Sequence, residues 1–271
     1  MAKVQEIVTG KVVEALNSGK VPWVKPWQER YPFNAQSGRA YTGINRFILD
    51  NTPFGYLTFN KIKELGGTLQ KGSKGNLVTL WTFVENKKAE KINGKYPTFP
   101  MLRYYNVFSV EDVTGLPEKF YNKTERTFRT LDQFAEIAER HIITINHGGN
   151  SAHYSPGSDC ITMPNKAQFA SERDYHQVLA HELIHWTAKR LGRELSQKKE
   201  LYAFEELIAE MGAAMLLGEF GLDYNIENTA AYCKGWGEKI AADQWLVCKA
   251  ASRAEKAVEF LLNGTEFVDE V

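Results

Sequence analysis

No run of eighteen consecutive apolar residues occurs in the 271-residue chain, which sets aside a membrane-spanning helix. Cysteine is scarce. Cys160, Cys233 and Cys248 are odd in number and form no CxxC pair. A disulfide framework and a cysteine-type zinc site are therefore not expected, and buried reduced thiols are. The N-terminus, MAKVQEIVTGKVVEALNSGK, lacks the apolar core of a secretory leader. A cytoplasmic protein with no membrane partner is the expectation. Internal repeats and low-complexity tracts are absent too. Net charge is missing as well, with 33 Lys+Arg against 33 Asp+Glu.

That balance is local imbalance cancelled. Residues 1–130 hold 20 Lys+Arg against 11 Asp+Glu, which leaves 13 against 22 for the rest, so the halves carry +9 and −9. Opposite charge in two halves predicts two modules with different partners, the basic one suited to a polyanion. Compositional scatter, with attraction between the halves, is the competing explanation. Apolar residues make up 43%, enough for packed cores. The polar stretch from Pro117 to Arg129 is the natural boundary, giving domains at 1–125 and 126–271.

Periodicity predicts a helix over 3–18, with Val4, Ile7, Val8, Val12, Val13 and Leu16 near one stripe and Gly19 as its stop. Residues 21–45 read as an ordered, irregular loop, and a short helix is expected within Asn45–Asp50. Thr58 caps a helix to Leu65 that Gly66-Gly67 ends. Leu77–Val84 and Leu102–Val110 are strands around a charged turn at Asn93-Gly94. A second amphipathic helix covers 130–141, capped by Thr130. Short strands follow at Ile142–Ile145, Ala152–Tyr154 and Asp159–Met163, and helix dominates from Phe169 to about Leu262.

The chemistry is concentrated in DYHQVLAHELIHWTAKRL, which contains His181-Glu182-Leu183-Ile184-His185. On a helix, residues four apart share a face with Cβ atoms roughly 5–6 Å apart. Two imidazoles so placed can converge on one metal, with Glu182 beside the open position as general base. Val178, Leu179, Leu183 and Ile184 would bury this helix. The alternative, two satisfied core histidines, is weakened by the next helix, ELYAFEELIAEMGAAMLL. Carboxylates among so many apolar residues need a cation or a partner. Glu206 and Glu210 are spaced i,i+4, so one can ligate the metal while the other orients a ligand histidine through its free ring N–H. Glu206, 21 residues past His185, is the first choice as third ligand and Glu205 its rival. Otherwise Glu205 and Glu210 face solvent. Two histidines and one carboxylate favour Zn²⁺ while tolerating Mn²⁺ or Ni²⁺, and they leave a position open for metal-assisted hydrolysis. Tyr154 is either an oxyanion donor or a core tyrosine, Asp159 a turn residue, and His176 surface or supporting.

Residues 1–130 hold 19 aromatics, several beside cations. Trp23, Lys25 and Trp27, then Arg39 with Tyr41, Arg46 and the Lys71–Lys74 loop combine stacking surfaces with phosphate-binding charge, as single-strand nucleic-acid binders do. Most of the aromatics must still be core residues.

The ordered motifs WVKPW, SGRAYTGIN, YLTF, GGTLQKGSKG and LRYYNVFSVEDVTGLP, then HYSPGSDCITMP, HELIHWT, RLGRE and FEELIAEMGAAML, resemble the ArdC-type antirestriction proteins of plasmids and other mobile elements over about residues 5–220. The last fifty residues match less clearly, and Ala188 stands where the family often has Gly. The resemblance implies an α+β fold. A mixed α/β N-terminal domain would bind single-stranded DNA, and a C-terminal zincin-like metallopeptidase domain would carry a small sheet and the HExxH helix. It also implies protection of incoming DNA against host restriction, and it supports His181, Glu182, His185 and Glu206 as site residues. It leaves the peptide substrate open, a restriction-system component being one candidate. Two other functions compete. One is a non-catalytic protein that shields single strands and keeps a structural metal. The other is a free-standing peptidase whose basic half binds an acidic protein. Intact Glu182 favours catalysis, because a structural site needs no base.

Overall fold

The computed structural model describes residues 4–23, 31–50, 52–122, 132–196, 198–224 and 229–264. The chain divides into two compact units, Met1–Lys11 with Arg30–Glu125, and Val12–Glu29 with Arg126–Val271. The α+β expectation holds. Helix α1 (Val4–Asn17) opens the chain with Val8, Val12 and Leu16 buried at i,i+4 spacing, and it stops before Gly19 at φ +77°.

The first unit holds α2 (Asn45–Ile48), β1 (Tyr56–Thr58), α3 (Phe59–Glu64), β2 (Thr68–Leu69), β3 (Asn76–Glu85), β4 (Thr98–Ser109) and β5 (Val113–Thr114). Thr58 caps α3 as its sequence predicts, its hydroxyl oxygen accepting from Lys61 N at 3.3 Å. The main sheet has the order β1-β4-β3, all antiparallel, with register Tyr56↔Ser109 and Asn76↔Val107 through Glu85↔Thr98. β2 pairs with β5. Strands β1, β2 and β5 escaped the sequence reading because two or three residues cannot display an alternation. β4 starts four residues earlier than its pattern suggested, and Val110 has left the strand for a 3-10 turn. The hairpin closes at Ile92–Lys95, where Asn93 (φ 50°) and Gly94 (φ 80°) supply the two positive dihedrals of a tight primed turn. Leu57, Ile62, Val110, Val113, Leu116 and Phe120 form one core cluster, and Leu49, Tyr56, Val78 and Val107 another. Asn45 closes part of the β3 edge. Its Nδ2 donates to Thr79 O at 2.8 Å, and its Oδ1 accepts from Thr79 N at 2.7 Å.

The second unit holds α4 (Asp132–Arg140), β6 (Thr144–His147), β7 (His153–Ser155), β8 (Cys160–Met163), α5 (Glu172–Arg190), α6 (Lys199–Glu219), α7 (Thr229–Ala242) and α8 (Leu246–Asn263). The expected Thr130 cap lies outside the described residues. The strands form a sheet β6-β8-β7, with β6 parallel and β7 antiparallel to β8. Ser171 caps α5, its Oγ accepting from Asp174 N at 3.1 Å, and Glu172 and Asp174 sit favourably in the positive first turn. Helix α6 packs on both α5 and α8, and β7 and β8 pack on α5. Leu183, Ile184, Leu207, Ile208, Met211 and Met215 are fully buried, each worth about 1.5–3 kcal/mol of transfer free energy. Gly212 sets the distance between α5 and α6. A Cβ there would lie 2.8 Å from Ile184 Cδ1, so only glycine admits this approach. Cys160 and Cys248 are free thiols, Cys248 buried as expected and Cys160 only partly so.

Candidate metal centre

Helix α5 presents His181 and His185 one turn apart, and α6 brings Glu206 against them. The histidine Nε2 atoms lie 3.1 Å apart. Glu206 Oε2 is 3.6 Å from His181 Nε2 and its Oε1 is 3.5 Å from His185 Nε2. One ligand atom from each residue lies within 4.8 Å of the others. A tetrahedral cation with bonds of about 2.0–2.2 Å separates its ligand atoms by about 3.3–3.6 Å. The three groups therefore fit a single divalent ion without rearrangement of the backbone.

The surroundings orient these groups. His185 Nδ1 is 3.2 Å from Glu205 Oε1, so the carboxylate accepts the Nδ1 proton and leaves Nε2, which faces Glu206 and His181, as the atom a metal would take in place of a proton. Glu205 is held from behind by Arg193, whose Nε and Nη2 donate to Oε2 and Oε1 at 3.1 and 3.0 Å. The same guanidinium donates to Thr187 Oγ1 at 3.0 Å and Ile184 O at 2.7 Å. Arg193 and Glu205 side chains are only 3% and 7% exposed. Burial alone would lower the His185 pKa, but the bonds to Glu205 and Glu206 outweigh it and raise it to about 9. Burial works to raise Glu205 and Glu206, but their basic neighbours outweigh it, lowering Glu205 and holding Glu206 well below the usual carboxylate range.

Glu205 is therefore neither solvent-facing nor the residue nearest both histidine Nε2 atoms. It takes the orienting place that the spacing gave to Glu210. Glu210 Oε1 stands 4.0 Å from His181 Nδ1, too far for a hydrogen bond, while Glu210 Oε2 accepts one from the Tyr224 hydroxyl. Adjacent residues on a helix point about 100° apart. The i,i+4 pattern could not say which of Glu205 and Glu206 faces which nitrogen.

A cavity of about 410 Å³ opens over these groups, lined among others by His153, Tyr154, His181, Glu182, His185, Tyr202 and Glu206. Glu182 is buried and lines this cavity together with both histidines. Tyr154 also lines it, but its hydroxyl donates to Asp159 Oδ1 at 2.8 Å. Asp159 is in turn bound by Arg190 at 2.7 Å, which makes it more than a turn residue. The Tyr154 pKa is raised to about 12 by burial and by Asp159. Tyr202 is a wall residue that sequence reasoning passed over. It is half exposed, and the negative charge of Glu206, burial and Glu182 raise its pKa. Its position four residues before Glu206, on the same helical face, was the available signal. His176 is buried rather than on the surface. Its Nδ1–H donates to Glu172 O at 2.8 Å, and its ring packs on Phe134 at 4.8 Å.

The nucleic-acid candidates fare unevenly. Trp23 and Arg46 are buried, Arg46 stacking on Tyr31 with its guanidinium 4.0 Å from the ring centroid. Both serve a core rather than a ligand. Tyr41 is half-buried, edge-on to Tyr56 at 6.4 Å between centroids. Arg39, Lys71 and Lys74 are exposed. Lys25 and Trp27 lie outside the described residues.

Comparison with known proteins is consistent along the chain. Residues 2–108 match the family described as the N-terminal domain of anti-restriction factor ArdC. Residues 132–253 match the zincin-like metallopeptidase family. Two structures of the antirestriction ArdC protein from plasmid R388 superpose closely. The metal-free form is 33% identical, covering 96% of this chain and 97% of that one at a TM-score of 0.79. The Mn(II)-bound form is 32% identical, covering 98% and 100% at 0.80. A DNA primase TraC of Escherichia coli is 31% identical over 95% of this chain, and the chain spans only 20% of that protein's length. An uncharacterised Sinorhizobium fredii protein, y4eC, is 28% identical over 95% of this chain and 91% of its own length.

Proposed function

The chain belongs to the ArdC antirestriction family, and from that premise we propose that it joins a single-stranded-DNA-binding domain, residues 1–125, to a metal-dependent peptidase domain, residues 126–271. The observation that carries the peptidase reading is the convergence of His181, His185 and Glu206 on one point of a cavity that Glu182 also lines. The Mn(II)-bound relative supports a first-row divalent cation there, with Zn²⁺ the first choice from the donor set and Ni²⁺ a third.

When bound, such an ion would supply a Lewis acid and an acidified water. The protein's own residues do the rest. Glu182 accepts the proton of the attacking water and returns it to the departing amine. Glu205 keeps His185 in the tautomer that offers Nε2, and Arg193 keeps Glu205 ionised and still. Tyr202, on the cavity wall beside Glu206, offers a hydroxyl toward a substrate oxygen next to the metal ligands, whereas that of Tyr154 is donated to Asp159. The substrate is an extended peptide segment, taken from a restriction-system component in the cytoplasm of a cell receiving foreign DNA. Among the described residues no helix is long and apolar enough to cross a membrane.

The test is turnover of an unfolded protein substrate by wild type and Glu182→Gln, each loaded with Zn²⁺ or Mn²⁺. Metal content should persist in the variant while turnover falls about 10²–10⁴-fold, the usual worth of a positioned base. Wild type that binds metal and single strands but cleaves neither the unfolded protein nor restriction subunits would instead support the non-catalytic, DNA-shielding reading. Loss of metal in Glu182→Gln would make Glu182 a ligand and remove the mechanism.

A further inference from the structure

Beyond its first residues the β3–β4 hairpin has no third strand among the described residues, because β1 pairs only with Val107–Ser109. The segment Leu80–Glu85 with Thr98–Arg103 is therefore a two-stranded arm, about 20 Å long at 3.4 Å per residue. The register decides what each face carries. Val78↔Tyr105, Leu80↔Arg103, Thr82↔Met101 and Val84↔Phe99 point to one side. Val78 is buried at the root, whereas Leu80, Phe99, Met101, Arg103 and Tyr105 are all exposed, Leu80 to 50% and Phe99 to 43%.

A row of such residues on open β-structure invites aggregation unless it has a ligand. Its chemistry points to one ligand class. Successive side chains on this face of β4 stand about 7 Å apart, twice the roughly 3.4 Å spacing of stacked bases, so a base fits between neighbours. Arg103 brings a planar cation into the middle of the row. The end of the arm carries exposed Lys87, Lys88, Lys91 and Lys95 against Glu85 and Glu90. An unpaired polynucleotide offers both free base faces and phosphates. A duplex hides its base faces, and an apolar protein surface would gain nothing from four lysines.

We infer that this face of the β3–β4 arm, built by Leu80, Phe99, Met101, Arg103 and Tyr105, is the platform on which bases of single-stranded DNA stack while Lys87, Lys88, Lys91 and Lys95 engage its phosphates. The inference rests on the proposed DNA-binding role and locates that role away from Trp23 and Arg46, which are buried, and from the Lys71–Lys74 loop.

Fluorescence anisotropy of the full chain with a fluorescein-labelled oligo-dT 20-mer tests it, alongside thermal melts of every variant. Phe99→Ala with Tyr105→Ala should weaken binding tenfold or more, as expected for losing two stacking side chains. Replacing Lys87, Lys88, Lys91 and Lys95 by Ala should reduce the slope of log affinity against log salt by up to about 3. Lys71→Ala with Lys74→Ala should change affinity less than either. These sites are exposed, so melting temperatures should stay near wild type. Wild type that binds the oligonucleotide while both arm variants bind it equally well would overturn the arm and leave the DNA-binding role standing. No binding by wild type even at low salt would remove the role itself. Arm variants that dissociate a dimer at unchanged DNA affinity would assign the face to a second copy of the chain, again overturning the inference.

Discussion

Replacing Glu205 by Gln separates the orienting shell of the site from its ligands. The perturbation removes one negative charge and keeps the shape. In the folded protein that charge faces Arg193 through two hydrogen bonds of 3.0 and 3.1 Å and His185 Nδ1 at 3.2 Å, with both the Arg193 and the Glu205 side chains nearly sealed from water. An amide offers a single oxygen to three donors and turns an N–H toward one of them. The Arg193 cation is then buried without a counter-charge, and breaking a buried pair from one side costs about 3–5 kcal/mol. At about 2–4 °C per kcal/mol for a unit of this size, the metal-free protein should melt roughly 6–20 °C lower. Metal affinity should fall about 10–100-fold, since His185 loses the acceptor that fixes its tautomer. Calorimetric melts in chelator and titration with Zn²⁺ or Mn²⁺ read the two effects separately. The double variant Glu205→Gln with Arg193→Met removes the stranded cation. It should recover much of the melting temperature without recovering the metal affinity. A Glu205→Gln protein that melts within a degree of wild type and binds metal unchanged would refute the coupling of Arg193, Glu205 and His185.

Glu206→Gln should act in the opposite sense. Its side chain is 26% exposed and pairs with the two histidines, not with the sealed Arg193, so the chelated protein should lose less melting temperature than Glu205→Gln while metal affinity drops by more. His185 makes metal binding depend on pH. Its pKa of about 9 lies above the unfolded value near 6.5, so its protonated pairing with Glu205 and Glu206 stabilises the metal-free fold fully below pH 6.5 and is lost as pH rises through 9. A cation must displace that proton, so measured affinity should strengthen by up to about tenfold per pH unit between 6.5 and 9 and then level off. A flat profile over that window would contradict the pairing. Gly212→Ala should destabilise by about 1–3 kcal/mol in thermal melts, since its Cβ meets Ile184 at 2.8 Å, and Ile184→Ala should relieve part of that loss. Additive losses would show that the two helices do not touch there.

The sequence made some of this legible and hid the rest for physical reasons. His181, Glu182 and His185 sit on one helix, so their spacing alone sets their geometry, and Thr58 and the Asn93-Gly94 pair likewise act within a few residues of themselves. Carboxylates in an apolar helix announced that α6 returns to the site. Which carboxylate meets which nitrogen depends on how α6 is rotated and seated on α5, and that is fixed by a long-range contact, the missing Cβ of Gly212 against Ile184. Arg193 could be read as a partner for an acid but not for Glu205 in particular, because it reaches back over the end of α5 to close on Ile184 O, Thr187 and Glu205 together. The aromatic half shows the same limit in a different form. Cation beside ring in sequence describes Arg46 equally with Arg103. In the fold Arg46 is sealed against Tyr31 while Arg103 stands on an open face of β4. Composition supplied the class of ligand, and only the strand register, by sending Leu80, Phe99, Met101, Arg103 and Tyr105 to one side of an arm with no third strand, gives that ligand a surface.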